Sequence, residues 1–145
     1  GKGAGEGTSI NLPMPGDSGD SAMATMLEEI VGPAAARFQP DIILCSAGYD
    51  AHWRDPLAGC QFQSRTYHRT CTFLKALAED ICGGRLVLLL EGGYDLKGLS
   101  VGVAESFRAL VGAGSEDPYD PVFLRDEPMD KLHMMVAEAR GIHSL

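Results

Sequence analysis

The chain has 145 residues, of which 45% are apolar and 22% are charged, and this composition is typical of one globular domain rather than a disordered segment. Its net charge of -8 at pH 7 argues against direct nucleic-acid binding, because proteins that bind a phosphate backbone carry basic patches. No apolar run approaches the roughly 20 residues needed to span a bilayer, so we expect no membrane partner.

The amino-terminal segment, residues 1–7, is rich in glycine but does not predict a phosphate-binding loop. Its spacing is not Gly-x-Gly-x-x-Gly, and it precedes a predicted strand at about residues 8–14 instead of linking a strand to a helix. We therefore expect an irregular loop in which the backbone passes close to another part of the protein.

The next segment predicts a kinked helix that Asp20 or Ser21 caps. One apolar stripe follows helical spacing and should face the core: Met23, Met26, Leu27, Ile30 and Val31. Gly32-Pro33 predicts the kink, and Gln39-Pro40 ends the helix before the first apolar strand.

Two uninterrupted apolar runs, at residues 42–45 and 86–90, predict strands that are covered on both faces in a parallel sheet. Ser64 is the expected N-cap of a helix between them, which Gly83-Gly84 ends.

Two further helices complete the pattern. The first is closed by Gly112. The second begins at Asp126 with Pro128 and carries an apolar side: Met129, Leu132, Val136 and Ala139. The order of elements predicts a parallel α/β domain, with a sheet between layers of helices. Because only about three strands are found, we expect residues 1–145 to be the carboxyl-terminal portion of a single larger domain.

The four cysteines are spread along the chain: Cys45, Cys60, Cys71 and Cys82. No two of them form a Cys-x-x-Cys pair, which disfavours a zinc ribbon and a disulfide scaffold and favours an intracellular protein, whether of nucleus, cytoplasm or plastid. His68 lies three residues before Cys71 on a predicted helix. A surface histidine beside a buried cysteine is favoured there over a metal site, because no further ligands are near.

Polar side chains follow both apolar strands at the point where each strand ends. They are Asp50, His52 and Asp55 after the first strand and Glu91, Tyr94 and Asp95 after the second. Ligands and catalytic groups of open α/β sheets collect beyond the carboxyl ends of strands, so we expect both loops to line one site.

The residues alone leave alternatives open at each of these positions. Asp50 and His52 form an Asp-x-His pair that is typical of two metal ligands, but a turn-capping Asp followed by an exposed His has the same spacing. Asp55, which precedes Pro56, is either a functional carboxylate or a helix N-cap. Tyr94 either presents a free hydroxyl or packs on the face of its ring.

The two loops together resemble the zinc-dependent histone deacetylase and acetylpolyamine amidohydrolase superfamily, class II branch. The sequences that carry the resemblance are IILCSAGYDAHWRDPL, at residues 42–57, and LLLEGGYDL, at residues 88–96. The Gly-rich opening that leads into Asn11-Leu12-Pro13 and the distance between the loops also match. The ending, residues 126–145, is similar to plant and algal members, so the resemblance covers nearly the whole chain.

The resemblance implies an arginase/deacetylase-like fold and a catalytic zinc. Asp55, in Asp-Pro-Leu, matches the second carboxylate ligand of that zinc, and Tyr94, in Glu-Gly-Gly-Tyr, matches the tyrosine that stabilises the oxyanion. Phe62 falls where the family places an apolar residue at the rim of the acyl-lysine channel. Gly92 and Gly93 fall where the channel wall needs absent side chains. Potassium ions, which family members often carry, are a further implied cofactor.

The resemblance also changes the interpretation of the Asp-x-His pair. In the family, the Asp-x-His ligands and the paired histidines that act as general base and acid lie upstream of the matching segment. Asp50 then becomes a residue that orders the loop or supports the metal ligands from behind, and His52 a variable one. The chain holds one zinc ligand of three, and its expected partner is the upstream half of its own catalytic domain.

The implied function is hydrolysis of acetyl-lysine in histones or other proteins, with release of acetate, by the full-length protein; the chain alone is expected to be inactive. One alternative is a deacetylase of small acetylated amines such as acetylpolyamines, which competition between an acetyl-peptide and an acetylpolyamine would distinguish. The other is a non-catalytic interaction module, for which the isolated chain would show no stable zinc binding.

Overall fold

The computed structural model describes residues 2–119 and 124–145, so the end of the predicted polar loop at residues 114–121 lies outside the described residues. The elements, in chain order, are a 3₁₀ turn at Gly3–Gly5, α1 at Asp20–Met26, a π-helical turn at Leu27–Val31, α2 at Gly32–Phe38, β1 at Ile43–Ala47, α3 at Ser64–Cys82, β2 at Leu86–Leu90, α4 at Leu96–Val111 and α5 at Met129–His143. Within the described ranges, no helix is both long and apolar enough to cross a membrane.

Strands β1 and β2 pair in parallel and in register, from Ile43 opposite Leu86 to Ala47 opposite Leu90. Helix α3 connects them, which gives the predicted strand, helix, strand unit. One face of the pair carries apolar side chains that the described residues leave exposed, including Leu44 at 63% and Leu89 at 52%. Parallel sheets are normally covered on both faces, so this apolar face is one that further residues of a larger domain would cover.

The predicted strand at residues 8–14 is wrong, because no strand is found there. Pro13 has no backbone N–H to donate to a ladder. The alternating side chains of Ile10, Leu12 and Met14 instead pack against a helical core cluster. That cluster is formed by α1, the π-helical turn and α5: Ala22, Met26, Ile30, Leu132, Val136 and Ala139. The alternation therefore reflects packing on helices rather than pairing with a strand.

A π-helical turn, Leu27–Val31, lies just before Gly32-Pro33, where the sequence predicts a kink. In this turn the N–H of Gly32 donates to the carbonyl of Leu27, five residues earlier. Pro33 has no N–H for the carbonyl four residues before it, and a local widening of the helix is one way to accommodate that loss. Gln39 then ends α2 in a left-handed conformation, with φ of 54°.

The predicted carboxyl-terminal ends of α3 and α4 are also confirmed. Gly83 and Gly112 adopt positive φ angles of 62° and 76°, which glycine accepts without a steric penalty. At the other end of α4, the side chain of Asp95 caps the helix by accepting the N–H of Gly98 at 2.7 Å.

Two helices begin at positions that differ from the predicted ones. Helix α3 has Gln63 as its N-cap instead of Ser64, because the N–H of Gln63 donates to Thr66 Oγ1 at 2.9 Å. Helix α5 begins at Met129, three residues after the predicted start at Asp126.

The start of α1 is capped by a residue from the far end of the chain. Its N-cap is Gly19, which has no side chain, instead of the predicted Asp20 or Ser21. The carboxylate of Glu127 accepts the N–H groups of Gly19 at 2.8 Å, Ser21 at 2.9 Å and Ala22 at 2.8 Å. These are the N–H groups that a helix cannot satisfy internally, so Glu127 fastens α1 to the segment before α5.

Helix α4 approaches the loop after β1 so closely that it carries glycine at two contact points. A Cβ on Gly98 would lie 2.8 Å from Nδ1 of His52, and a Cβ on Gly102 would lie 2.7 Å from Cδ1 of Tyr49. Both distances are shorter than any ordinary van der Waals contact. The two glycines therefore set the position of α4, whose first turn follows the second candidate loop.

We expect Glu127→Gln to lower the free energy of unfolding by about 1–2 kcal/mol at neutral pH, because a charged acceptor of three N–H groups becomes neutral. Burial raises the pKa of Glu127, but the N–H donors outweigh it and hold the pKa below its ordinary value of 4.5. The extra stability of the native protein is thus complete above pH 4.5 and disappears as the pH falls through the lowered pKa. Chemical denaturation at a series of pH values above and below 4.5 measures the free energy of unfolding of both proteins.

Asp126→Asn is the matched control, because it removes one negative charge from the adjacent, exposed position. The capping role of Glu127 would be contradicted if the two substitutions lowered the free energy of unfolding equally.

We expect Gly98→Ala to destabilise the protein by about 1–3 kcal/mol, because the new methyl group must displace His52 or α4. Gly141→Ala is the matched control on α5, where a Cβ meets no atom within 4 Å. Alanine is favoured over glycine inside helices, so this control should be neutral or stabilising by up to about 1 kcal/mol. Thermal unfolding of both variants makes the comparison, and a stable Gly98→Ala protein would refute the close contact.

Candidate functional site

The two candidate loops meet at the carboxyl ends of β1 and β2, as the sequence predicts. The N–H of Glu91 donates to the carbonyl of Ala47 at 3.0 Å, and the N–H of Tyr49 donates to the carbonyl of Gly92 at 2.9 Å. The pairing of the strands therefore continues into the loops and holds them side by side.

Asp55 joins the two loops through its side chain. Its Oδ2 accepts the N–H of Tyr94 at 2.6 Å and the N–H of Asp95 at 3.1 Å, while its Oδ1 accepts the N–H of Leu57 at 3.0 Å. Slight burial raises the pKa of Asp55, but the three N–H donors outweigh that effect and hold the pKa below its usual value. Asp55 is thus an ionised carboxylate at neutral pH, and it lies against the backbone that carries Tyr94.

Tyr94 follows a tight turn that only glycine permits. Gly93 has φ of 135°, and a Cβ there would lie 2.9 Å from Leu99. A Cβ on Gly92 would lie 2.7 Å from a carboxylate oxygen of Asp50. Asp50 therefore occupies the space that Gly92 leaves, in line with its predicted role in ordering the loop. The side chain of Tyr94 is 60% exposed, so its ring is accessible.

His52 is buried, which corrects the expectation of an exposed histidine. It is 1% exposed, its Nε2 lies 3.1 Å from Oγ of Ser64, and its Nδ1 accepts the backbone N–H of Arg54 at 3.2 Å. Burial lowers the pKa of His52, so the neutral ring donates from Nε2 and accepts at Nδ1. Both nitrogens are used inside the chain, so His52 and Asp50 do not form a pair of metal ligands.

Arg54 forms a second side-chain connection between the loops, which the sequence analysis did not predict. Its Nε donates to Oδ1 of Asp95 at 3.1 Å. Its guanidinium carbon lies 5.3 Å from the centre of the Trp53 ring and 5.5 Å from that of Tyr119. The glycine pair on α4, Gly98 and Gly102, has a spacing of four that indicates a close packing partner, but the residues that it faces are His52 and Tyr49 rather than Arg54.

Phe62, which the resemblance assigns to the rim of the acyl-lysine channel, is 5% exposed in the described chain. It packs in an aromatic cluster with Tyr49 and Tyr67, and its backbone pairs with the segment around His52. The side chain is thus packed inside the described chain, and its role at the rim stays a prediction. The same holds for Gly92 and Gly93 as parts of the channel wall.

Asp55 fits the role of one metal ligand. A carboxylate offers about four lone-pair positions, and the three N–H donors leave room for a cation. Its oxygen atoms are of a type that zinc accepts. In residues 2–119 and 124–145, however, no three His, Cys, Asp or Glu side chains are grouped so that they could hold a metal ion.

Known proteins resemble the chain over its whole length. Histone deacetylase 14, chloroplastic, from Arabidopsis thaliana is 56% identical over the entire chain, which covers 35% of that protein. Histone deacetylase 10, chloroplastic, from Oryza sativa is 50% identical over the entire chain, which covers 33% of that protein. The chain thus spans about a third of the length of these relatives.

Solved structures give the same fold. The crystal structure of the HDA15 HD domain has a TM-score of 0.80 at 30% identity and covers 99% of this chain, which corresponds to 36% of that structure. The histone deacetylase Clr3 has a TM-score of 0.83 at 23% identity, which supports the fold alone. These likenesses confirm the predicted α/β fold of the arginase/deacetylase type, of which the chain forms a part.

The sequence profile described as the histone deacetylase domain matches residues 1–110, about three quarters of the chain. This matched region contains both strands and both candidate loops, including Asp55 and Tyr94. The chain belongs to the histone deacetylase domain family.

Proposed function

We propose that the protein carrying this chain is a zinc-dependent deacetylase that hydrolyses the acetyl-lysine amide in histones or other proteins. The observation that carries the proposal is the contact between the two strand-end loops, in which Oδ2 of Asp55 accepts the N–H of Tyr94 at 2.6 Å. A carboxylate and a phenol, the groups needed for metal binding and for oxyanion stabilisation, are thereby held on adjoining backbone.

In this proposal Asp55 is one ligand of the zinc, and the other ligands come from the rest of the deacetylase domain. A zinc ion with an open position, when bound, lowers the pKa of water and polarises the substrate carbonyl. The low pKa of Asp55 suits this role, because its carboxylate is already ionised when the cation arrives. Its three N–H bonds fix the direction in which the remaining lone pair points.

Tyr94 would donate a hydrogen bond from its hydroxyl to the oxygen of the scissile carbonyl. Attack on an amide places negative charge on that oxygen, and a donor held in place beforehand stabilises the charge by a few kcal/mol. The exposure of the Tyr94 ring in this chain leaves its hydroxyl available to a substrate. The backbone bond to Asp55 keeps the tyrosine beside the proposed metal.

The exposed apolar face of the β1–β2 sheet supports the proposal that the upstream part of the same domain completes the enzyme. That part would cover Leu44, Val87 and Leu89 and supply the remaining zinc ligands together with the catalytic histidines. The described residues supply one ligand, so we expect the chain alone to be inactive.

The compartment we propose is the plastid. Two relatives that align over the entire chain carry the word chloroplastic in their names. An acetylated protein is the partner that we propose for the site, and the acidic net charge of -8 suits a lysine-rich segment better than a nucleic acid.

We expect Tyr94→Phe to lower kcat about 100-fold in the full-length protein, because the substitution removes one oxyanion donor and leaves the ring in place. Steady-state hydrolysis of an acetyl-lysine peptide measures the effect. The thermal stability should not change, since the ring is 60% exposed in this chain. Near-normal turnover by a folded, zinc-loaded variant would reject the proposed role of Tyr94.

We expect Asp55→Asn to deplete the bound zinc, because a neutral amide replaces the anionic ligand. Elemental analysis of the purified full-length protein gives the zinc content per molecule. Asp80→Asn is the matched control, since it removes the same charge from an exposed position on α3. Equal zinc contents in the two variants would exclude Asp55 as a ligand.

A further inference from the structure

The position of Tyr94 depends on its backbone. Its side chain is 60% exposed, so contacts of the ring within the described residues hold it weakly. The two residues before it are Gly92 and Gly93, and glycine restricts the backbone less than any other residue. A tyrosine that must meet one oxygen atom of a substrate therefore needs connections that fix this loop from outside.

Two side chains from the loop after β1 provide such connections. Asp55 accepts the N–H groups of Tyr94 and Asp95. Arg54, the adjacent residue, donates to the carboxylate of Asp95 at 3.1 Å. The same oxygen of Asp95 accepts the N–H of Gly98 at 2.7 Å and so caps α4. Arg54 thus reaches the residue that directly follows Tyr94, at the point where the loop becomes a helix.

Arg54 is itself held in place. Its backbone N–H donates to the buried ring of His52, and its guanidinium lies beside the rings of Trp53 and Tyr119, which also contact each other edge to face. Side chains of Arg54 and Asp95 are 30% and 24% exposed, so the pair is partly shielded from water. An arginine that is held by cation–π contacts with aromatic rings loses less conformational freedom when it forms an ion pair than a free surface arginine does.

We propose that Arg54 is a positioning residue, which fixes Tyr94 relative to Asp55 through its ion pair with Asp95. This inference rests on the proposed function of Tyr94 as the oxyanion donor. Arg54 does not touch the substrate. Its contribution appears in kcat, since it acts on an interaction that strengthens only in the transition state.

The test is a double-mutant cycle in the full-length, zinc-loaded protein with an acetyl-lysine peptide as substrate. We expect Arg54→Gln to lower kcat about 10-fold and to change KM by less than about twofold, because the donor is displaced rather than removed. In the Tyr94→Phe background, the same substitution should have no further effect on kcat. The zinc content should equal that of the wild type in all variants.

A structural role alone predicts a different outcome, in which Arg54→Gln lowers kcat equally with and without the Tyr94 hydroxyl. Such an equal loss would overturn the positioning role. The role would also be overturned if Arg54→Gln alone left kcat unchanged, or if it lowered the zinc content. Normal turnover by Tyr94→Phe would instead overturn the proposed function, and the positioning role with it. The two failures are therefore distinguishable.

Three further variants complete the design. Arg54→Lys keeps a cation that can reach Asp95 and should recover part of kcat, whereas no recovery would oppose the ion pair as the cause. Arg140→Gln is the matched control, because Arg140 pairs with Glu29 at 3.3 Å on the surface of α5 and should leave kcat unchanged. If Arg54→Gln does not fold, Asp95→Asn replaces it in the cycle, since asparagine also caps helices but carries no charge.

Discussion

The contact on which the candidate site depends is the pair of hydrogen bonds from the N–H groups of Tyr94 and Asp95 to one carboxylate oxygen of Asp55. Two loops that are 39 residues apart in sequence are thereby joined directly by hydrogen bonds. The contact is possible because β1 and β2 are adjacent, parallel and in register, so their carboxyl ends lie at the same level. The sheet sets the spacing of the loops, and the carboxylate then sets their orientation.

Local signals in the sequence predicted most of the fold. The apolar runs gave both strands, glycines marked the ends of α3 and α4, and Gly32-Pro33 marked the change of helical geometry. Each of these effects acts over a few residues. The cap of α1 by Glu127 spans more than 100 residues, and no local pattern specifies a contact of that range. Residues 8–14 show the same limit, because packing on the helical core cluster produced an alternation that a strand would also have.

The candidate site could also be predicted where local signals specify it, and not where it depends on distant parts of the chain. Asp55 and Tyr94 follow strands, and the rule that functional groups gather at strand ends, together with the family resemblance, predicted that their loops meet, as they do; their catalytic roles stay predictions. His52 was not predicted correctly, because its burial depends on α4, which follows more than 40 residues later. Gly98 and Gly102 allow that helix to approach the loop. A glycine pair in a helix therefore carries information about the site, although neither glycine belongs to it.

The carboxylate of Asp55 has to satisfy two demands at once in the proposed enzyme. It must hold the loops together through N–H bonds and still offer an oxygen lone pair to a cation. A neutral amide has one acceptor oxygen and two donor hydrogens. The oxygen of an asparagine would accept only some of the three N–H groups, and its NH₂ group would repel the others. An aspartate accepts from all three and keeps its negative charge, because the same N–H groups lower its pKa. The bonds that order the loops thus also prepare the ligand, and the folding of this segment and the binding of a metal at its edge depend on the same charge.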